Sequence, residues 1–403
     1  MDELLHATIH DALDVQEPAG LRSRVIRAVP MDHPRRRHMR LPGVSGQWAA
    51  AFAAILITTA LIAGLVYTRI GTLPGGKHDV GPVIRLTSPT GIAVGPDGRI
   101  YVADYYAKRV YRLQADGSLV TVAGGGLQYE GVATKASLFD PEGLAFAANG
   151  DLYIADSLGS SIRRLDRAGM LSTFMSMHAT GGALAPFGVA FDTRGVLYVG
   201  NINGDVASIA PDGSTSTVDL SAVPAPRVQA GYLTFDPAGN LYVADGSPYA
   251  TLPNQVPQPP GGCRIIKVAP DRSVSVVAGT GTCGVSGDGG PAVGAQLNDP
   301  EGLAFDSAGN LYFADSHNHR VRRVDTHGTI TTVAGTGREG DSGDGGPAIR
   351  AEMAYLGGMV VQGPFLYVSE EEAASGLYGA VRLIDLRDGT IRTVVNSQSR
   401  VVS

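Results

Sequence analysis

Cysteine, tryptophan and charge are all scarce: the 403 residues include two Cys, one Trp and 17% charged side chains. With only Cys263 and Cys283 available, neither a C-x-x-C redox pair nor a cysteine zinc cluster can form. No G-x-S-x-G elbow, phosphate-cradling loop or dinucleotide fingerprint occurs, which removes the usual frames for nucleophilic hydrolysis and nucleotide chemistry. The net charge of -6, with Lys and Arg scattered, offers no basic stripe for nucleic acid. Glycine is abundant instead, at 54 residues beside 24 Pro, a balance that suits a turn-rich all-β chain.

One long apolar run exists. Trp48 to Tyr67 carries no charge and is about the 20 residues a helix needs to cross a bilayer. Arg35, Arg36, Arg37 and Arg40 precede it, and only the sparse Arg69 and Lys77 follow. The positive-inside rule then keeps the N-terminus in the cytoplasm. The n-region is too long for a cleaved signal peptide, and no A-x-A site follows. The expected organisation is a cytoplasmic tail at 1–46, a single membrane helix at 47–69, a linker at 70–80 and an extracytoplasmic domain at 81–403. Residues 1–46 hold two short amphipathic patterns and no metal-ligand cluster, so they are read as a topogenic leader.

Downstream, one word recurs in six versions: Tyr101-Val-Ala-Asp104, Tyr153-Ile-Ala-Asp156, Tyr198-Val-Gly-Asn201, Tyr242-Val-Ala-Asp245, Tyr312-Phe-Ala-Asp315 and Tyr367-Val-Ser-Glu370. Around each lie four short apolar or alternating runs separated by Gly- or Asp-centred turns, the pattern of a four-stranded meander. Such a sheet leaves edges and a half-bare face, so six must stack radially as a propeller. The repeats run at 85–126, 127–177, 178–220, 221–281, 282–337 and 338–397. Basic residues of the third strands, such as Arg163, Arg322 and Arg382, are expected on a solvated face. The acid ending each word is expected to fasten the turn that follows it. Val83 to Leu86 is expected to contribute a strand to ring closure.

The words P-x-G-Φ-A-Φ-D, G-N-Φ-Y-Φ-A-D and N-H-R-V-R, with Gly284 to Ala292 repeated at Gly340 to Ala348 and worn down at Gly131-Val-Ala133, closely resemble the NHL-repeat family. The resemblance covers residues 85 to 397 and implies a six-bladed β-propeller of a membrane-anchored bacterial type. Members of that family include scaffolds, receptor-like sensor domains and a few enzymes, so the fold alone names no activity. The six-bladed hydrolases and lyases that look like such propellers hold a metal in the channel with carboxylate, Asn or His ligands.

Candidate chemistry falls where the copies differ. The residue at the axial start of each first strand is Thr90, Glu142, Phe187, Gly231, Glu301 or Gly357. Blades 2 and 5 are opposite in a six-fold ring, so Glu142 and Glu301 face each other across the axis. The other four positions are poor ligands, and both glutamates are read as solvated rim residues of the P-E-G turn. No cofactor is expected; a divalent metal belongs only to the enzyme alternative. Asp288 and Asp344 offer too few carboxylates for calcium and are read as acceptors in tight turns. His317 and His319 lack a third ligand for zinc.

The proline-rich insertion Ser247 to Gly262 projects over a rim and carries Tyr249, a binding candidate with Glu142, Phe187 and Glu301. A hairpin turning at Pro270-Asp271 sets Cys263 near Cys283, which suits a disulfide in an oxidising compartment; two inert thiols are the alternative. The expected function is an extracytoplasmic binding module for a protein or small ligand at the rim. The alternatives are a metal-dependent hydrolase or lyase acting through Glu142 and Glu301, and a sensor signalling through the anchor to a cytoplasmic partner.

Overall fold

The computed structural model describes residues 86–176, 185–201, 204–224, 228–246, 262–371, 379–396 and 401–402. The expected tail, membrane helix and linker lie outside them, as do Tyr249 and residues 83–85. Among the described residues no helix is long and apolar enough to cross a membrane.

Six antiparallel sheets follow one another along the chain, each a meander of four consecutive strands. Their innermost strands are Pro89–Val94, Pro141–Phe146, Pro186–Phe191, Ala230–Phe235, Pro300–Phe305 and Leu356–Gln362. Each of these first strands packs on the next, and the last on the first, so the sheets form a ring. The six-bladed propeller of four-stranded blades read from the repeat is therefore the fold.

Aromatic contacts stitch the blades together. Tyr101, Tyr153, Tyr198 and Tyr242 each meet edge-on a Phe of the next blade's inner strand (Phe146, Phe191, Phe235 and Phe305), with ring centroids 4.8 to 5.1 Å apart. Such T-shaped pairs add about 0.5–1.5 kcal/mol each beyond their buried area.

The ring is sealed by two devices. At the axis, the Ser369 hydroxyl of blade 6 donates to Thr90 O of blade 1 at 2.6 Å, and Gln362 Nε2 donates to Gly98 O, also at 2.6 Å. At the periphery, Val401–Val402 pairs in parallel with Leu119 and Val120, adding a fifth strand to the outer edge of blade 1. Leu86 is fully buried against blade 1 and blade 6 residues, including Val102, Val381 and Val395.

Two expectations about the repeat need correction. Three of the third-strand arginines are not on a solvated face: Arg163, Arg322 and Arg382 are at most 1% exposed, while the side chains of Arg112 and Arg164 are 34% and 42% exposed. Each of the three sits beside the acid that ends the second strand of its own blade, Asp156 at 3.5 Å, Asp315 at 3.0 Å and Glu370 at 3.4 Å. By strand alternation Arg163 shares its face with the buried Leu165 and Arg322 with the buried Val324, so the arginines are not on the opposite face from the aliphatics, and the long loop joining each blade to the preceding one covers them. That loop supplies a second anion, Asp288 to Arg322 at 3.0 Å and Asp344 to Arg382 at 2.9 Å. The Gly-Asp-Gly-Gly segments thus neutralise buried guanidinium groups as well as turning the chain. In blade 2, Arg163 instead lies 4.4 Å from the Tyr129 ring centre and donates to Tyr129 O.

The acid of the repeated word also reaches chiefly backward. Asp156 accepts the amides of Phe139 and Asp140, each at 2.8 Å, and Asp315 accepts that of Asn298 at 2.6 Å. These amides lie just before the innermost strands, so the repeated acid sets the point at which each strand meets the axis. Asp104 holds both sides, accepting Ser88 N and Ala107 N at 3.1 Å each.

Candidate functional site

The start of each innermost strand is irregular. Pairing with the second strand slips between Pro141 and Leu144 in blade 2 and between Pro300 and Leu303 in blade 5. A bulge of this kind turns side chains out of the regular alternation, and the residues inside it are Glu142-Gly143 and Glu301-Gly302.

The glycines let neighbouring strands approach closely at the axis. A Cβ on Gly143 would stand 2.4 Å from Phe187 O, and one on Gly302 would stand 2.3 Å from Gly357 O. The strands are drawn so near that the space between them, lined by residues such as Gly91, Gly143, Val189, Leu303 and Gly358, is only about 40 Å³. A space of that size has room for only a few waters.

Contrary to the solvated reading, Glu142 is 3% and Glu301 is 8% exposed. The Oε2 atom of each has no hydrogen-bond partner. Blade 6 has Gly357 at the corresponding position, and a Cβ there would lie 2.9 Å from Ser369 Oγ and 3.2 Å from Glu371 Oε1, so the Glu371 carboxyl stands beside the space a side chain would use. Glu371 is half-buried, and its amide donates to Tyr355 O at 2.8 Å.

Three carboxyl groups from blades 2, 5 and 6 thus share the mouth. Burial and then the charge of Glu371 and Asp140 push Glu142 well above the usual carboxylate range. Burial, followed by Asp299, Glu371 and Glu142, does the same to Glu301. Burial lifts Glu371 to about 7.

Beside Glu142, Tyr105 is raised by burial and by the charges of Asp140 and Glu142, and Lys108 Nζ lies 3.5 Å from Asp140. Beside Glu301, His317 Nδ1 lies 3.5 Å from Asp299 Oδ2, and burial followed by the charge of His319 lowers its pKa. The rings of His317 and His319 both pack on Tyr355, at 5.5 and 5.1 Å.

Among the described residues, no group of three or more His, Cys, Asp or Glu side chains converges closely enough to hold a metal ion. Of the residues singled out from sequence, Glu142 and Glu301 come together at the mouth. Phe187 is 4% exposed and packs edge-on against Tyr232 at 5.1 Å, as part of the wall. Tyr249 lies outside the described residues. Glu371 was missed as a site residue, although the run Glu370-Glu371-Glu372 beside a glycine at position 357 was the available signal.

The raised carboxyls have a thermodynamic consequence. A glutamate whose pKa is higher folded than its ordinary 4.5 binds more protons in the native state between those two values. Its stabilising contribution is full below 4.5 and is lost as pH climbs through the raised folded value. Glu142→Gln and Glu301→Gln are therefore expected to be more stable than the wild type at neutral pH, by about 2 °C or more in Tm, with the advantage vanishing in acid. Thermal unfolding across the acid-to-neutral range checks this, and unchanged or lower melting at neutral pH refutes it.

The loops that carry Tyr105, Lys108 and Asp140 and the turn after Asp156 also expose apolar side chains. Tyr106 is 57%, Tyr129 49%, Phe139 41% and Leu158 70% exposed. Tyr129 and Phe139 are in ring contact at 6.4 Å, Tyr106 abuts Tyr105 at 4.9 Å, and Lys108 donates to Phe139 O at 2.9 Å, joining the two groups.

Comparison with known proteins agrees with the repeat. The NHL repeat model matches residues 86–111 and the Teneurin NHL domain model matches residues 176–342. Teneurin-3 of Mus musculus is 37% identical over 170 residues, which is 38% of this chain and 6% of that protein. The chain therefore spans only a small part of these relatives' length. A solved structure from Bacteroides thetaiotaomicron superposes with a TM-score of 0.56 at 17% identity, covering 77% of this chain and 69% of that one. A streptogramin B lyase gives 0.51 at 14% identity, covering 78% and 85%. At such identities these two structures share the fold with this chain.

Proposed function

From a chain of NHL repeats closed into six blades, we propose a binding module that engages partner proteins at the channel-mouth face of blades 1 and 2. The observation that carries this reading is the exposed patch of Tyr106, Tyr129, Phe139 and Leu158 beside the acidic mouth. Aromatic residues on rigidly supported loops are the usual anchors of protein interfaces, and exposed apolar clusters on a folded surface mark interaction sites. A pinched axis of about 40 Å³ directs binding to the surface.

The module is held outside the cytoplasm by the apolar run Trp48 to Tyr67. The Cys263–Cys283 pair, with Cα atoms 5.3 Å apart, supports this placement, since disulfides persist in oxidising compartments. It closes a loop between residues 20 apart in sequence, for which chain entropy gives about 3 kcal/mol. Cys263→Ser is thus expected to lower stability by about that amount, and protein taken from cells should resist alkylation until reduced. Free thiols in freshly isolated protein would place the propeller in a reducing compartment.

Interaction is tested by photo-crosslinking in living cells with a reactive residue at Tyr106 or Leu158. Discrete adducts are expected there and not at Val293 or Ile349, which are also exposed and apolar but lie on the turns preceding blades 5 and 6. Adducts absent at the first pair, or equal at both pairs, overturn the reading.

A further inference from the structure

Glu142, Glu301 and Glu371 are arranged for something the described molecule does not itself supply. Two of them are over nine-tenths buried, each with an unpartnered Oε2. Buried carboxyl oxygens in native proteins are nearly always paired. Of the neighbouring axial positions only Thr90 offers a side-chain hydrogen bond, to Glu142, and its hydroxyl also donates to Pro141 O at 3.1 Å; Phe187 is packed in the wall, Gly231 and Gly357 have no side chain, and the Oε2 atoms of Glu142 and Glu301 are left without a partner. The nearby cations are also engaged, Lys108 with Asp140 and Phe139 O.

We propose that the mouth receives the cationic side chain of a lysine or arginine from the protein partner, held among Glu142, Glu301 and Glu371. The inference rests on the binding-module reading and names the chemistry of the partner. Three features favour an organic cation over a metal ion. Calcium requires 6–8 oxygens and zinc a tight tetrahedron, and the described His, Cys, Asp and Glu groups do not converge to that extent. An ammonium or guanidinium spreads three to five N–H donors over a wider spacing, which suits acceptors carried on three separate blades. The exposed aromatic patch lies next to Glu142 on the blade 1 and 2 loops, so a segment covering it can extend a basic side chain to the axis.

The groups that set the charge state are Asp140, Tyr105 and Lys108 around Glu142; Asp299, His317 and His319 around Glu301; and Glu371 between them. A bound cation stabilises the ionised carboxylates, so binding expels protons held by the raised glutamates and tightens as pH rises.

The test uses the full-length chain in detergent micelles and an acetylated, amidated peptide Gly-Tyr-Leu-Lys-Leu-Tyr-Gly, with arginine and norleucine versions, followed by calorimetry. The lysine or arginine peptide is expected to bind about tenfold tighter than the norleucine peptide at about pH 8, and to lose that preference near pH 5.5. Proton release on binding should appear as a buffer-dependent heat at intermediate pH. Glu142→Gln with Glu301→Gln should abolish the preference for the cation, while Leu158→Ala should weaken all three peptides and leave the preference intact. The Gln variants relieve like-charge repulsion, so misfolding does not confound them.

Equal binding of the charged and norleucine peptides overturns the inference while the aromatic face remains a binding surface. Displacement of the peptide by Ca²⁺ or Zn²⁺ alone at micromolar concentration, lost in the Gln variants, overturns it in favour of a metal site. Binding of no peptide at millimolar concentration also overturns it, and the crosslinking at Tyr106 then stands as the separate test of the module.

Discussion

Arg322→Met is expected to destabilise the propeller by about 3–5 kcal/mol, the range for removing one partner of a buried ion pair. The Arg322 side chain is 1% exposed and lies between Asp315 and Asp288, at 3.0 Å from each, with a further bond to Ser286 O at 3.2 Å. Methionine fills much of the volume but leaves the Asp315 carboxylate buried without its cation. Burial already pushes Asp315 upward against the pull of its hydrogen bonds and Arg322. In the variant only the Asn298 amide and Asn318 remain to hold it.

The sign of the pH effect follows. With its folded pKa raised further, Asp315 destabilises the variant increasingly as pH rises through that value, so the deficit should be smaller in acid than at neutral pH. Adding Asp315→Asn to Arg322→Met should recover part of the loss, because a neutral amide tolerates burial better than an uncompensated charge. Urea denaturation of the single and double variants decides it. A single variant within about 1 kcal/mol of the wild type would show that Arg322 contributes as an exposed surface pair does.

Gly302→Val is expected to cost about 3 kcal/mol, the upper part of the range for overpacking, or more. The obstruction is backbone on every side: a Cβ would lie 2.3 Å from Gly357 O, 2.7 Å from Met359 N and 2.8 Å from Gly358 C. No side chain can rotate away, so blades 5 and 6 must separate. The seam between blades 6 and 1 is built alike, with a Cβ on Gly358 meeting Thr90 O at 2.7 Å, and a closed ring cannot widen one seam without straining the others.

Gly294→Ala is the matched control. Nothing lies within 4 Å of its added Cβ, and an effect within about 0.5 kcal/mol is expected for such a surface site. Equal unfolding midpoints for the two variants would mean that the axial contact carries no constraint.

Local grammar made much of this protein legible. Six copies of one strand word, with glycines at the turns, specify four-stranded sheets, and sheets with bare edges have to close on one another. The opposition of Glu142 and Glu301 followed from counting blades. What counting could not supply was the environment of either residue. The P-E-G turn reads as a polar rim in one dimension, yet the bulge at Glu301-Gly302 and its equivalent in blade 2 tuck both carboxyls beneath neighbouring strands. The burial of the arginines is hidden for the same reason: the anions that meet Arg322 and Arg382 come from Asp288 and Asp344, 34 and 38 positions earlier in the chain.

The sequence by itself determined the blade, its strand order, the number of repeats and the closeness of Cys263 to Cys283, because each depends on alternation, turn chemistry and spacing along a short stretch. Only the tertiary structure decided that Glu371 comes up beside Gly357, that Arg163, Arg322 and Arg382 are buried, and that the pair Val401–Val402 joins the outer edge of blade 1. Burial and electrostatic coupling depend on which distant segments arrive at one point, and a closed ring brings blades 2, 5 and 6 to the same axis.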